Sequence, residues 1–211
     1  MMNCVSGRAE RGFAGQIMNE DTKLAEIVKK VKTITGGDRI HIVRPDLTRA
    51  AVLVPIIQKK GEPHLIVTKR TMTVATHKGQ ISFPGGVREP EDRDEIANAL
   101  RESKEEIGLD QEHVQVLGLL DDFATTTGFS VTPVVGLVSA AATYQADKIE
   151  VAEVIETPFS VFLDPDAHEF VTMNREEFSF RFHQYKFEEH IIWGATAGII
   201  HRFITALYGG E

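Results

Sequence analysis

The stretch Arg101-Glu102-Ser103-Lys104-Glu105-Glu106-Ile107-Gly108-Leu109 holds the densest set of chemically capable groups in the chain. On a helix, at about 100° per residue, Glu102, Glu105 and Glu106 stand at i, i+3 and i+4 and share one arc of the surface. Ile96, Leu100 and Ile107 point nearly the opposite way. The helix therefore buries an apolar stripe and presents three carboxylates together. Like charges at this spacing oppose one another, and a divalent cation reverses that sign. Mg²⁺ and Mn²⁺ prefer carboxylate oxygens and keep positions open for phosphate oxygens. Arg101, one turn before Glu105, is placed to hold its carboxylate. The plain alternative is a solvated acidic face. Upstream lies Pro84-Gly85-Gly86, where two glycines let the backbone approach a ligand closely.

Several elements must position these residues. Met1 to about Asn19 reads as a tail. Leu24, Ile27, Val28, Val31 and Ile34 fall on one face of a helix running to about Thr35, capped by Asp21 or Thr22 and ended by Gly36-Gly37. Strands are expected over Arg49–Gln58 and His64–Lys69, joined by a turn at Gly61–Pro63. A looser segment, Arg70–Gly79, leads to a short strand at Gln80–Phe83. A charged loop, Arg88–Asp92, precedes the acidic helix, expected from about Arg93 to Ile107 and stopped by Gly108. Further strands are expected near Val114–Asp121, Val131–Ser139 and Ile149–Glu156, then a helical turn at Pro158-Phe159. A hairpin across Phe170–Phe187 and a last helix over Ile191–Tyr208 close the chain. Interspersed strands and helices predict a mixed α/β layer architecture, with residues 20–211 as a single domain after the tail.

Composition narrows the function classes. The chain has 211 residues, 31 Asp and Glu against 23 Lys and Arg, and a net charge of −8. That balance disfavours nonspecific nucleic-acid binding. One cysteine, Cys4, excludes an internal disulfide and suits a reducing, cytoplasmic setting. Arg8, Glu10 and Arg11 interrupt any signal-peptide core, and no apolar run is long enough to span a bilayer, so no membrane association is expected.

Gly86 through Leu109 resembles the Nudix box: Gly, five residues, Glu, seven residues, Arg-Glu, an aliphatic residue, any residue, Glu-Glu, any residue, Gly, aliphatic. Here Asp92 stands where Glu is usual, eight residues separate it from Arg101-Glu102, and Ser103 replaces the aliphatic residue. The three helical glutamates and Gly108-Leu109 match. The resemblance implies a Nudix fold, a mixed central sheet sandwiched between helices, here with an extra N-terminal helix. It also implies metal-dependent hydrolysis of a diphosphate linkage. Glu102 and Glu106, with Glu105 and the Gly85 carbonyl, would hold Mg²⁺ or Mn²⁺. The base that takes a proton from water is, in this family, a box glutamate or one on a later loop: Glu105, or else Glu150 or Glu153. The bland reading of the last two is a polar strand edge.

A second likeness concerns substrate. Ile66-Val67-Thr68-Lys69-Arg70 and His77-Lys78-Gly79-Gln80-Ile81-Ser82-Phe83-Pro84-Gly85-Gly86 resemble the coenzyme A pyrophosphatase branch, as do residues 128–136 and 192–197. Thr71 replaces a usual Ser, and Ala75 stands where many members have an Arg. The resemblance implies coenzyme A as substrate, cleaved to 3′,5′-ADP and 4′-phosphopantetheine. Arg70 and Lys69 would contact its phosphates, with Gly86 and His77 beside them. Surface salt bridges are the equal alternative for the two cations. ADP-ribose, dinucleotides, nucleotide sugars and oxidised nucleotides are competing substrates. A nucleotide-binding module without turnover, and a homodimer, are further options. Trp193 either stacks on adenine or packs the last helix.

Overall fold

The computed structural model describes residues 20–73, 77–175 and 178–209. The expected tail and Ala75 lie outside them. The first helix, α1 (Glu20–Ile34), precedes the long strand β1 (Thr48–Lys59) and its partner β2 (Glu62–Arg70). Lys60 and Gly61, both at positive φ, form the two-residue turn between them, the hairpin geometry that matches strand twist.

Strands β1 and β2 pair only at their joined ends, from Ile56 opposite Leu65 to Lys59 opposite Glu62. Beyond that they part, and the next segment of chain fills the gap. Strand β3 (Ile81–Ser82) pairs with β2, and β4 (Gly85–Val87) pairs with β1. The Pro84 carbonyl accepts from Leu53 N–H at 2.9 Å. The glycine segment is thus bound into the sheet on both sides. It feeds the acidic helix α2 (Glu95–Ile107), which Asp94 caps through its side chain at Ala97 N–H, 2.8 Å.

Strands β5 (Val114–Leu119), β6 (Phe123–Ala124) and β7 (Phe129–Val138) follow, and β7 runs parallel to β1 over Thr48–Ile57. Strand β8 (Val151–Pro158) closes the other edge against β2, and the short α3 (Phe159–Leu163) follows it. The main sheet is therefore mixed, as expected. Its strands bury both faces. Ala51, Leu53 and Ile57 of β1 meet Ala99 and Ile107 of α2, whereas Ala50, Val54 and Ile56 face the cluster that includes Val31 of α1.

A second, three-stranded sheet comprises β9 (His168–Arg175), β10 (Phe178–Phe187) and β11 (His190–Trp193), and α4 (Gly194–Tyr208) ends the described chain. Helix α4 starts three residues later than its apolar run predicts. Ile191, Ile192 and Trp193 are β-branched or aromatic and pair with β10, Ile192 opposite Tyr185. Buried Ile199, Ile200, Phe203 and Leu207 set α4 on the face of the main sheet opposite α2. No helix among the described residues is long and apolar enough to cross a membrane.

Candidate metal and diphosphate site

Helix α2 lies against β4, and two of its glutamates turn toward the glycines. A Cβ on Gly86 would sit 2.5 Å from the Glu102 carboxylate carbon, so only a residue without a side chain lets that group lie over the backbone. A Cβ on Gly85 would meet the Ala51 carbonyl oxygen at 2.4 Å, and Gly85 has φ +155°. Both glycines are there for closeness. Glu106 reaches the same segment, accepting from Gly85 N–H at 3.4 Å.

The electrostatics of this pair are unbalanced. Glu106 is 4% exposed, and among the described residues its ion-pair partner is Arg70, whose Nη1 stands 3.4 Å from Oε1. Burial pushes the Glu106 carboxyl up to about 7, against the pull of Arg70 and the Gly85 N–H. Burial raises Glu102 as well, although Arg101 opposes it. A buried Glu106 and a half-buried Glu102, both raised by burial and facing the same glycines, fit a hard cation as a shared partner.

Glu105 stands apart from this pair. Its side chain is 59% exposed and accepts from Arg101 Nη1 at 2.9 Å. Arg101 itself is anchored from below. Asp92 is buried and receives Arg101 Nε at 3.1 Å and Nη2 at 3.0 Å. Hydrogen bonding by Arg101, aided by Glu89 N–H, holds the Asp92 carboxyl below the usual carboxylate range despite burial. Arg101 Nη2 also lies 2.9 Å from Glu102 Oε1. One guanidinium therefore bridges the loop, Glu102 and Glu105. The Arg101–Glu105 contact was legible from the one-turn spacing. The anchoring role of Asp92 was not, because its distance along the chain from Arg101 fits no helical spacing.

The remaining candidates spread along β2 and β8. Arg70 joins Glu106 and, through Nη2 at 3.6 Å, Glu150. Lys69, half-buried, sits opposite Ile81 and Glu153 in the sheet. Glu153 Oε1 stands 3.7 Å from His190 Nε2. His77, exposed and at positive φ, pairs its Nδ1 with Gln80 Oε1 at 2.8 Å. Trp193 packs on Phe182, ring centroids 5.6 Å apart.

The NUDIX domain family matches residues 47–193, and the chain belongs to it. The chain is a Nudix hydrolase, a class acting on the diphosphate linkage of nucleoside diphosphate derivatives. It is 41% identical over 153 residues to a protein of Photorhabdus laumondii described as "Uncharacterized Nudix hydrolase NudL", covering 72% of this chain and 81% of that one. The Cronobacter sakazakii protein of the same description is 38% identical over 180 residues, covering 82% and 92%. A solved MutT/nudix family protein from Enterococcus faecalis shares the fold, with TM-score 0.51, 15% identity, and coverage of 92% of this chain and 74% of that one.

Proposed function

We propose that the protein hydrolyses the diphosphate bridge of coenzyme A or its derivatives in the cytoplasm, giving 3′,5′-ADP and 4′-phosphopantetheine, with Mg²⁺ or Mn²⁺ as cofactor. The observation that carries the metal-site reading is the convergence of Glu102 and Glu106 on Gly85-Gly86 with too little countercharge. Those two side chains, with Glu105 and the Gly85 carbonyl, would hold the metal. When bound, it supplies charge neutralisation for the diphosphate and acidifies a water.

The chain's own groups do the rest. Asp92 fixes Arg101, and Arg101 orients Glu102 and Glu105. Arg70, at the end of β2 beside Glu106, offers a guanidinium to a phosphate, and Lys69 precedes it on the strand. Gly86 allows close approach and His77 borders the same segment. Glu105, exposed and held by Arg101, is the proton acceptor for the attacking water, with Glu150 and Glu153 as the alternatives on the β8 side. The coenzyme A assignment rests on the motif around Arg70 and Phe83-Pro84-Gly85-Gly86.

The test is a panel of diphosphates incubated with Mg²⁺ or Mn²⁺, with products identified by mass spectrometry. Coenzyme A should be turned over fastest, yielding the two named products. A preference for ADP-ribose of about tenfold, or 1.4 kcal/mol in transition-state binding, moves the substrate assignment. The base is separated by pH–rate profiles of E105Q, E150Q and E153Q: the variant that loses the acidic limb has lost the proton acceptor.

A further inference from the structure

On the opposite face of the main sheet from α2, three histidines from three elements meet. His168 (β9) and His183 (β10) lie on one face of their hairpin, where His183 pairs with Phe170 and His168 with Tyr185. His201 of α4 covers that face. His168 Nε2 and His183 Nδ1 are 3.0 Å apart. The His183 and His201 rings stack with centroids 3.8 Å apart, and the three residues offer ligand nitrogens all within 4.8 Å of one another. All three are half-buried.

We propose that His168, His183 and His201 form a binding site for a borderline divalent transition metal ion, Zn²⁺ above all, separate from the carboxylate pair on α2. Imidazole nitrogen suits Zn²⁺, where carboxylate oxygen suits Mg²⁺ and Mn²⁺. Bonds of 2.0–2.1 Å in a tetrahedral site put ligand nitrogens about 3.3 Å apart, close to the His168–His183 separation. Burial also favours the neutral form of the rings. Burial, followed by the neighbouring histidines, depresses His183 to about 4, and burial lowers His168 and His201. The three rings stand nearly parallel, at 16–24° to one another, so coordination requires rotation of the rings to aim their in-plane lone pairs at one point.

Surrounding groups support coordination without competing for it. The buried Tyr185 places its hydroxyl 3.2 Å from His201 Nδ1, an outer partner of the kind that fixes a ligand's orientation. Arg202 turns its guanidinium over the Phe123 ring, 4.7 Å from the centroid, and Arg181 turns its own over Phe170, 4.8 Å from the centroid. Glu169 is taken by Gln184 Nε2 at 2.6 Å and Lys186 Nζ at 2.8 Å. Bound there, the ion ties the outer hairpin to α4. The competing account is an apolar stack with one N–H···N hydrogen bond, which needs no ion.

The two accounts separate experimentally. Co²⁺, a spectroscopic probe for Zn²⁺ sites, is titrated into protein carrying E102Q and E106Q, with Mg²⁺ in excess. Saturation at one equivalent with a visible absorption band, displaced by Zn²⁺ and lost in H183N and in H201N, is expected. An unsaturable titration, or one that those changes leave as before, overturns the site. A second measurement needs no variant: wild-type crystals soaked in Zn²⁺ should show an anomalous peak between the three rings. A map with no peak there overturns the proposal, whatever the substrate panel gives.

Discussion

Asp92 and Arg101 set the precision of the site. A buried aspartate that takes two hydrogen bonds from one guanidinium fixes where that guanidinium can point. Asp92→Asn removes the charge and one acceptor, leaving Arg101 free to follow Glu102 and Glu105. Turnover should fall about 10–100-fold, the usual effect of an outer-shell change, with KM for metal rising; steady-state kinetics at varied Mg²⁺ checks it. Gly85 and Gly86 predict opposite phenotypes. Gly86→Ala drives its Cβ into the Glu102 carboxylate, a movable side-chain end, so metal affinity should drop while the melting temperature holds. Gly85→Ala meets the backbone oxygen of Ala51 at a φ that L-residues rarely adopt, so it should destabilise the fold itself. Thermal denaturation beside metal titration tells the two apart. The helical glutamates, Arg101 and the glycines were all legible in the chain because short-range spacing encodes them. What spacing does not encode is which carboxylates sink. On the same arc, Glu106 is buried and Glu105 is exposed, because Glu106 lies over the β4 backbone and Glu105 does not.

Between α1 and β1 the chain is pinned by Asp122, just before β6. Its carboxylate is 1% exposed and accepts from Arg39 Nη1 at 2.6 Å, Ile42 N–H at 2.7 Å and Thr132 Oγ1 at 2.6 Å. Burial alone would raise this carboxyl, yet the Thr132, Ile42 and Arg39 hydrogen bonds together bring it below 3.8. A depressed folded value means the clamp contributes fully above the unfolded value and is lost as pH falls through the lower folded one. Asp122→Asn should cost about 2–3 kcal/mol at pH 7. Urea unfolding should show the gap between wild type and variant shrinking as the pH drops below 3.8. No periodicity marks this contact, since Arg39 and Asp122 are 83 positions apart. The same limit explains β11, where apolar residues read equally well as helix until pairing with β10 decides between them. The helices α1 and α2, by contrast, followed from amphipathic spacing to within a residue or two, and the main strands from β-branched runs.

At the scale of the whole molecule, metal and fold are linked. An ion that binds only the native state stabilises it by about 2.7 kcal/mol at a hundred times its dissociation constant. Mg²⁺ should therefore raise the melting temperature of the wild type. Glu106→Gln relieves a buried charge, so that variant should melt near or above the metal-free wild type while losing both the Mg²⁺ shift and at least about 100-fold in turnover. Differential scanning calorimetry with and without Mg²⁺ reads both effects. The parallel pairing of β1 with β7 carries a last consequence, one of timing. Thr48 lies beside Phe129, so the ribosome must release some eighty residues beyond Thr48 before its neighbour arrives. Until then Leu53 and Ile57 lack their β7 wall, and the acidic helix has only half a floor to settle on. Competence to capture the ion is thus a late event in the birth of the chain, and a nascent fragment stopped before Phe129 should be blind to Mg²⁺.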